Sequence, residues 1–241
     1  MKITKNIKYN YKITEENLEK DIDKFIFESK KEWYKMDRHN NSEGLRIIRQ
    51  YFRILEDKFK NNNLEECKVC YEKLILFCID ASGANNSNNL FDYEDLLAKI
   101  TKEFDDYIEN YFICLIKTCN IEELAEKVSK YASNLDIYGF DSDKEILLEN
   151  LDELELKNLE ARMLIKTEGM TKKDQDKQDI IYFLMSIAEA QEDKEKYLKL
   201  CERFKEILSN KEFENLKNEY EENEYIYKKL DLIKIGGNIV K

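Results

Sequence analysis

Two of the six cysteines stand three residues apart as Cys67-Lys-Val-Cys70, and Cys114 and Cys119 supply a second pair five apart. Four thiolates satisfy a structural zinc ion, so these four are the candidate ligand set for a metal. Residues three apart on a helix share a face. Residues five apart diverge by about 140° at 100° per residue, so the second pair can ligate only if a helix ends between its members. The flanks of the first pair, "NLEE" and "YEKLIL", carry helical periodicity. Cysteine packs readily as a small hydrophobe. Leu64, Cys67, Tyr71, Leu74 and Cys78 recur at helical spacing, so we read the cysteines as one buried seam that needs no cofactor. A redox dithiol would need a strand leading into the first cysteine, and the sequence has none there.

Catalytic constellations are scarce. His39 is the only histidine, in the loop "MDRHNNSEG" beside Asp37 and Arg38, and it has no nucleophile partner. A single imidazole removes the histidine-dependent metal motifs and the Ser-His and Cys-His arrangements together. Glycine-rich phosphate loops are missing too. Asp141-Ser-Asp143 could hold Mg²⁺ at a loop end, although acids placed there commonly cap a helix and meet its positive dipole end. These observations point to a protein that is not an enzyme.

The elements that must position such residues are helical. The 241-residue chain has no proline and six glycines, with 42% hydrophobic and 12% aromatic residues. Without its two main breakers, and with enough apolar material for a core, it favours long helices. Residues 7–13, "IKYNYKI", alternate as a strand does. The helical period follows and persists, in segments starting at Thr14 (to about Met36), Ser42 (to Lys60), Asn63 with Glu66 in the capping-box position (to Ile79), Asp92 and Asn120. Further segments span 141–166, 171–191, 193–209 and 211–233. The fold class read from this is all-α: about nine antiparallel helices stacked as an α-solenoid-like array, with a short β arm at the termini. The domain plan is a basic arm over 1–13, one helical domain over 14–233 with a candidate sub-boundary at the loop 81–91, and a tail over 234–241. The arm could pair with "LIKIGGNIVK" or add as a strand to a partner.

Charge narrows the partner. The formal net charge is −11, from 40 basic and 51 acidic residues. The excess sits in the middle, −6 over 81–140 and −5 over 141–170. Such a surface repels nucleic-acid phosphates and anionic lipid, and no apolar run is long enough for a membrane span. The expected partner is another protein with a basic surface, with homo-oligomerisation left open. Aromatics concentrate at interfaces, so the candidate partner-binding residues are Tyr9, Tyr11, Glu103, Asp106, Tyr107, Glu109 and Tyr111. Six cysteines without the apolar region of a signal peptide place the expected compartment in the reducing cytoplasm.

Two resemblances agree with a helical array. "NNNLEECKVCYEKLIL" resembles the second helix of a tetratricopeptide-type repeat, with Cys67 at the small-residue position and Tyr71 at the aromatic one, while Leu74 is larger than the family's alanine. "AQEDKEKYLKLCERFKEIL" is similar in style, with Tyr197 at the small-residue position; neither segment is followed by the family's proline. "IDASG", "IEELAEKVSKYA" and "LDIYGFDSD" are similar to the helical region that follows SWIM zinc-finger domains, whose zinc-binding pairs are absent here. The first resemblance implies helical-array character, and the second an appended helical scaffold with no chemistry to carry over; with the acidic surface and the aromatics, the expected function is a non-enzymatic protein-binding scaffold or adaptor. The alternatives weighed against it are a zinc-stabilised or metal-dependent module centred on the cysteines, and an acidic inhibitor of a basic protein.

Overall fold

The computed structural model describes residues 13–14, 17–31, 43–82, 104–134, 141–171, 173–206 and 218. Among them the chain is all-α, with nine helices and no strand. These are α1 (Leu18–Ser29), α2 (Glu43–Lys60), α3 (Leu64–Ser82), α4 (Phe104–Thr118) and α5 (Ile121–Ala132), then α6 (Asp141–Asn150), α7 (Glu153–Glu168), α8 (Gln175–Ala190) and α9 (Lys194–Arg203). The chain divides into two compact units, residues 1–162 and 163–241. The division falls inside α7. The proposed β arm, His39, the start of the segment at Asp92, the loop at 81–91 beyond Ser82 and the segment 211–233 apart from residue 218 lie outside the described residues. No described helix is long and apolar enough to cross a membrane.

Local chemistry sets the boundaries. Asn120 caps α5, its Oδ1 accepting from the amides of Glu122 and Glu123, both at 3.0 Å, which satisfies two of the orphan donors of the first turn. Asp193 caps α9 through the Lys196 amide at 2.9 Å. At α3 the pairing of Asn63 and Glu66 runs between side chains, Asn63 Nδ2 donating to Glu66 Oε2 at 2.6 Å. Helix α1 starts later than Thr14, at Leu18. Thr14 lies a turn ahead of it, its carbonyl accepting from the Asn17 amide at 3.1 Å and its own amide donating to the Asp21 carboxylate.

One boundary departs from the sequence reading. The segment 141–166 is two helices, because Asp152 and Glu155 form a reciprocal capping box. Asp152 Oδ1 accepts from the amides of Leu154 and Glu155 at 2.8 Å, and Glu155 Oε2 accepts from the Asp152 amide at 3.0 Å. A new helix therefore starts where leucine spacing alone suggests continuity.

Within residues 1–162, α3 is the hub, packed against α1, α2 and α4, and α6 packs against α4. An aromatic core joins them. The Phe52 ring of α2 stacks on Tyr107 of α4 with centroids 4.3 Å apart and planes 6° from parallel, and it meets Phe104 edge-on at 5.9 Å and Tyr71 of α3 at 6.4 Å. Phe25 of α1 packs against Tyr51 and Phe77, and Tyr131 of α5 packs against Tyr111 and Phe112. Such pairs add about 0.5–1.5 kcal/mol each beyond the area they bury.

Within residues 163–241, α8 and α9 form a hairpin that buries Ile180, Phe183, Leu184 and Ile187 against Tyr197, Leu200 and Cys201. Its turn repeats the α2–α3 turn. In both, the amides of the last two turn residues bond back to the helix, Asn62 to Phe59 O at 2.9 Å and Asn63 to Lys58 O at 3.0 Å, and Glu192 to Glu189 O and Asp193 to Ala188 O, each at 2.9 Å. This is a Schellman end followed directly by the next helix cap. It requires a left-handed residue, here Asn62 at φ 61° and Glu192 at φ 57°. Both segments that resemble each other in sequence begin at this junction, and Cys67 and Tyr71 in one, like Tyr197 and Cys201 in the other, are buried.

Asparagine tolerates the left-handed region, but glutamate has no local bond to offset its Cβ clash. Glu192→Gly is therefore expected to stabilise the α8–α9 hairpin by about 1 kcal/mol in urea unfolding, with Asn62→Gly giving less. An unchanged or lowered midpoint for Glu192→Gly would refute the conformational cost.

Candidate functional site

The chemistry-bearing residues gather around α3. Cys67, Cys70, Tyr71, Leu74 and Cys78 are fully buried along it, while Leu64 is half-buried at its start. The Cys67 thiol faces the Leu55 carbonyl of α2 at 3.6 Å. Cys114 is buried on α4, and Cys119 is half-buried just past the end of that helix. The helix does end between Cys114 and Cys119. Even so, among the described residues no group of three or more His, Cys, Asp or Glu side chains is placed to hold a metal ion. Metal ligation needs thiolates, and burial works the other way, pushing Cys67 up to about 11 and Cys70 and Cys114 up to about 12. Cys119 is also raised by burial, against the opposing pull of the Lys68 ammonium.

Packing α3 on several sides also buries charges that must then be neutralised. Lys68 is 7% exposed, and its Nζ lies 3.0 Å from Glu65, 3.3 Å from Glu123 of α5 and 3.6 Å from the Cys119 sulfur. Burial alone would lower the Lys68 pKa, but Glu65, Cys119 and Glu123 together raise it, so the ammonium stays charged. Glu72, also 7% exposed, accepts from Lys127 at 2.7 Å and Lys130 at 2.5 Å, both on α5. Burial pushes its carboxyl up, and the two lysines outweigh that and hold it below the ordinary carboxylate range. Lys73 reaches Glu19 at 2.9 Å and Asp23 at 2.7 Å on α1, and Glu66 meets Lys58 of α2 at 2.7 Å. These are structural clasps from α3 to three helices, two of them to α5, one to α1 and one to α2. The only sequence signal for them is the charged positions inside the apolar run "CKVCYEKLILFC".

The expected partner-binding set separates. Asp106 and Glu109 are exposed on α4, together with Asp105, and none of the three forms an ion pair among the described residues. Tyr107 and Tyr111 are not surface aromatics: they are 7% and 1% exposed. Because α4 is covered by α3 on one side and α6 on another, it buries a wider arc than the single stripe of Phe104, Ile108, Phe112 and Leu115. The two tyrosines fill the extra arc, Tyr107 against Phe52 and Tyr111 against Tyr131. Tyr9, Tyr11 and Glu103 lie outside the described residues.

Asp143 is neither a loop-end chelator nor an exposed cap. It is fully buried in the first turn of α6, where its Oδ2 accepts from the Tyr131 hydroxyl at 3.0 Å and its Oδ1 lies 3.1 Å from Lys144 Nζ. Burial pushes its carboxyl up to about 6 against the opposing effects of Lys144 and Tyr131. No family model, curated protein or solved structure matches this chain.

The thiol environments predict an order of reactivity. In the native protein an alkylating reagent is expected to modify Cys119 first, whereas Cys67, Cys70, Cys78 and Cys114 react only on unfolding. Peptide mass spectrometry over a labelling time course checks this, and early modification of Cys67 or Cys78 would contradict the packed seam.

Proposed function

We propose that this chain is a non-enzymatic scaffold or adaptor that binds another protein through an acidic helical surface. The observation that supports the reading is the exposed start of α4, where Asp105, Asp106 and Glu109 present three carboxylates within five residues and no ion pair among the described residues. Several other exposed acids are paired instead. Glu19, Asp23, Glu56, Glu122, Glu153, Glu168 and Glu195 are each matched to a lysine or arginine. Matched surface pairs cancel one another's field, whereas three unmatched like charges sum.

A face of that sign attracts a basic protein surface and disfavours phosphate backbones. With Tyr107 and Tyr111 in the core, recognition on this face rests on charge and on the backbone shape of α4, not on aromatic anchors. In the reducing cytoplasm, the compartment this reading assigns, the six thiols remain free. The inhibitor reading shares the acidic surface and differs only in what binding does to the partner.

The test is a triple reversal, Asp105→Lys, Asp106→Lys and Glu109→Lys, at positions whose exposure leaves the core intact. A basic partner captured by the native chain should be lost by the variant and should be released from the native chain as salt rises from about 0.05 to about 0.5 M. Retention of the same partners by the variant, or a salt-independent complex, would sink the proposal.

A further inference from the structure

Among the described residues, Glu72 and Asp143 are buried in contrasting ways. Glu72 is held by hydrogen bonds from two lysines on the facing helix. Asp143 is buried more completely, and only one hydrogen bond reaches it from the facing helix, from Tyr131 at 3.0 Å; its cation, Lys144, is its own chain neighbour, with Nζ 3.1 Å from Oδ1. An ionised carboxylate offers about four acceptor sites, and leaving them unfilled away from water is costly. The neutral carboxyl removes that cost and still accepts from Tyr131. Helix α6 spans ten residues, and Asp143 is the polar tie between it and α5.

We propose that Asp143 makes the attachment of α6 proton-sensitive: α6 is held tightly when this carboxyl is neutral and opens locally when it is ionised. Lys144 comes from α6 itself and Tyr131 from α5, while Asp105 and Tyr111 of α4 reach the pair through the Tyr131 hydroxyl. The exposed acids nearby, Glu145 and Glu149, face water.

The sign follows from proton affinity. The closed carboxyl titrates near 6 and the opened, solvated one near its ordinary 3.8. The closed state therefore binds the proton more tightly, and acidification favours closure. The change is confined to the interval between those two values and is flat above it. Opening of α6 should be about tenfold rarer at pH 5 than at pH 7.

Hydrogen exchange of the α6 amides in the full chain, corrected for the intrinsic pH dependence of exchange, reads this directly. Native protein should show about tenfold stronger protection at pH 5 than at pH 7. Asp143→Asn, which keeps an acceptor for Tyr131 but cannot ionise, should show strong protection at both. Tyr131→Phe, which removes the inter-helix hydrogen bond that favours the ionised form, should move the transition to higher pH. Equal corrected protection of native α6 at the two pH values, or an unchanged pH dependence in Asp143→Asn, would overturn the proposal. Carboxyl titration of the native chain by NMR is independent of how any variant folds, and a midpoint for Asp143 near 4 would overturn it as well.

Discussion

Burial of α3 is the constraint to which the first unit is fitted. A helix packed against α1, α2 and α4 has little surface left for polar side chains, yet α3 carries Lys68, Glu72 and Lys73. Two of these are almost wholly buried. An unpaired ion in such a place would cost several kcal/mol, so the neighbouring helices must bring counter-charges. Helix α5 does so twice, through Glu123 to Lys68 and through Lys127 and Lys130 to Glu72, and α1 does so through Glu19 and Asp23 to Lys73. Helix α4 is joined instead by stacked rings. The ionic contacts fix which face of each helix meets α3, and the aromatic contacts fill the space between α2, α3 and α4.

The cysteines belong to the same constraint. At Cys67, Cys70 and Cys78 a small polarizable side chain lets neighbouring helices approach closely. The burial that makes them useful in packing raises their pKa values and withdraws them from thiolate chemistry. A Cys-x-x-Cys spacing thus has opposite meanings in a turn, where two sulfurs can converge on an ion, and in mid-helix, where they follow the seam.

Much of the fold was legible because caps and turns are local. Asn63, Asn120 and Asp193 announce helix starts through side chains that bond within three residues, and the structure places helix starts at all three. What was not legible depends on neighbours. The capping box of Asp152 and Glu155 was written in the sequence but masked by leucines at 147, 151, 154 and 159 that keep helical spacing through the break. Tyr107 and Tyr111 look surplus beside one apolar stripe, and only the covering of α4 on two sides shows why they are needed. The depth of Asp143 depends on Tyr131 and on the packing of α6 against α4, which no spacing of residues encodes. The division inside α7 leaves no trace in composition. At the acidic surface, the structure places Asp106 and Glu109 on the exposed start of α4 beside Asp105, and only the structure shows that the three have no ion pair among the described residues.

The clasps of α3 also bear on how the chain reaches this state. The α2–α3 hairpin closes through a three-residue turn and needs only local contacts. Its counter-charges come from far along the chain in both directions, Glu19 being 54 residues from Lys73 and Lys127 being 55 from Glu72. Closing such loops is the slow, entropically expensive part of assembly. During synthesis α1 precedes the hairpin and α5 follows it, so Glu72 stays in water until more than fifty further residues have been made. Helix α5 is the one that brings counter-charges to both Lys68 and Glu72, so burial of the hub's charges waits on its docking.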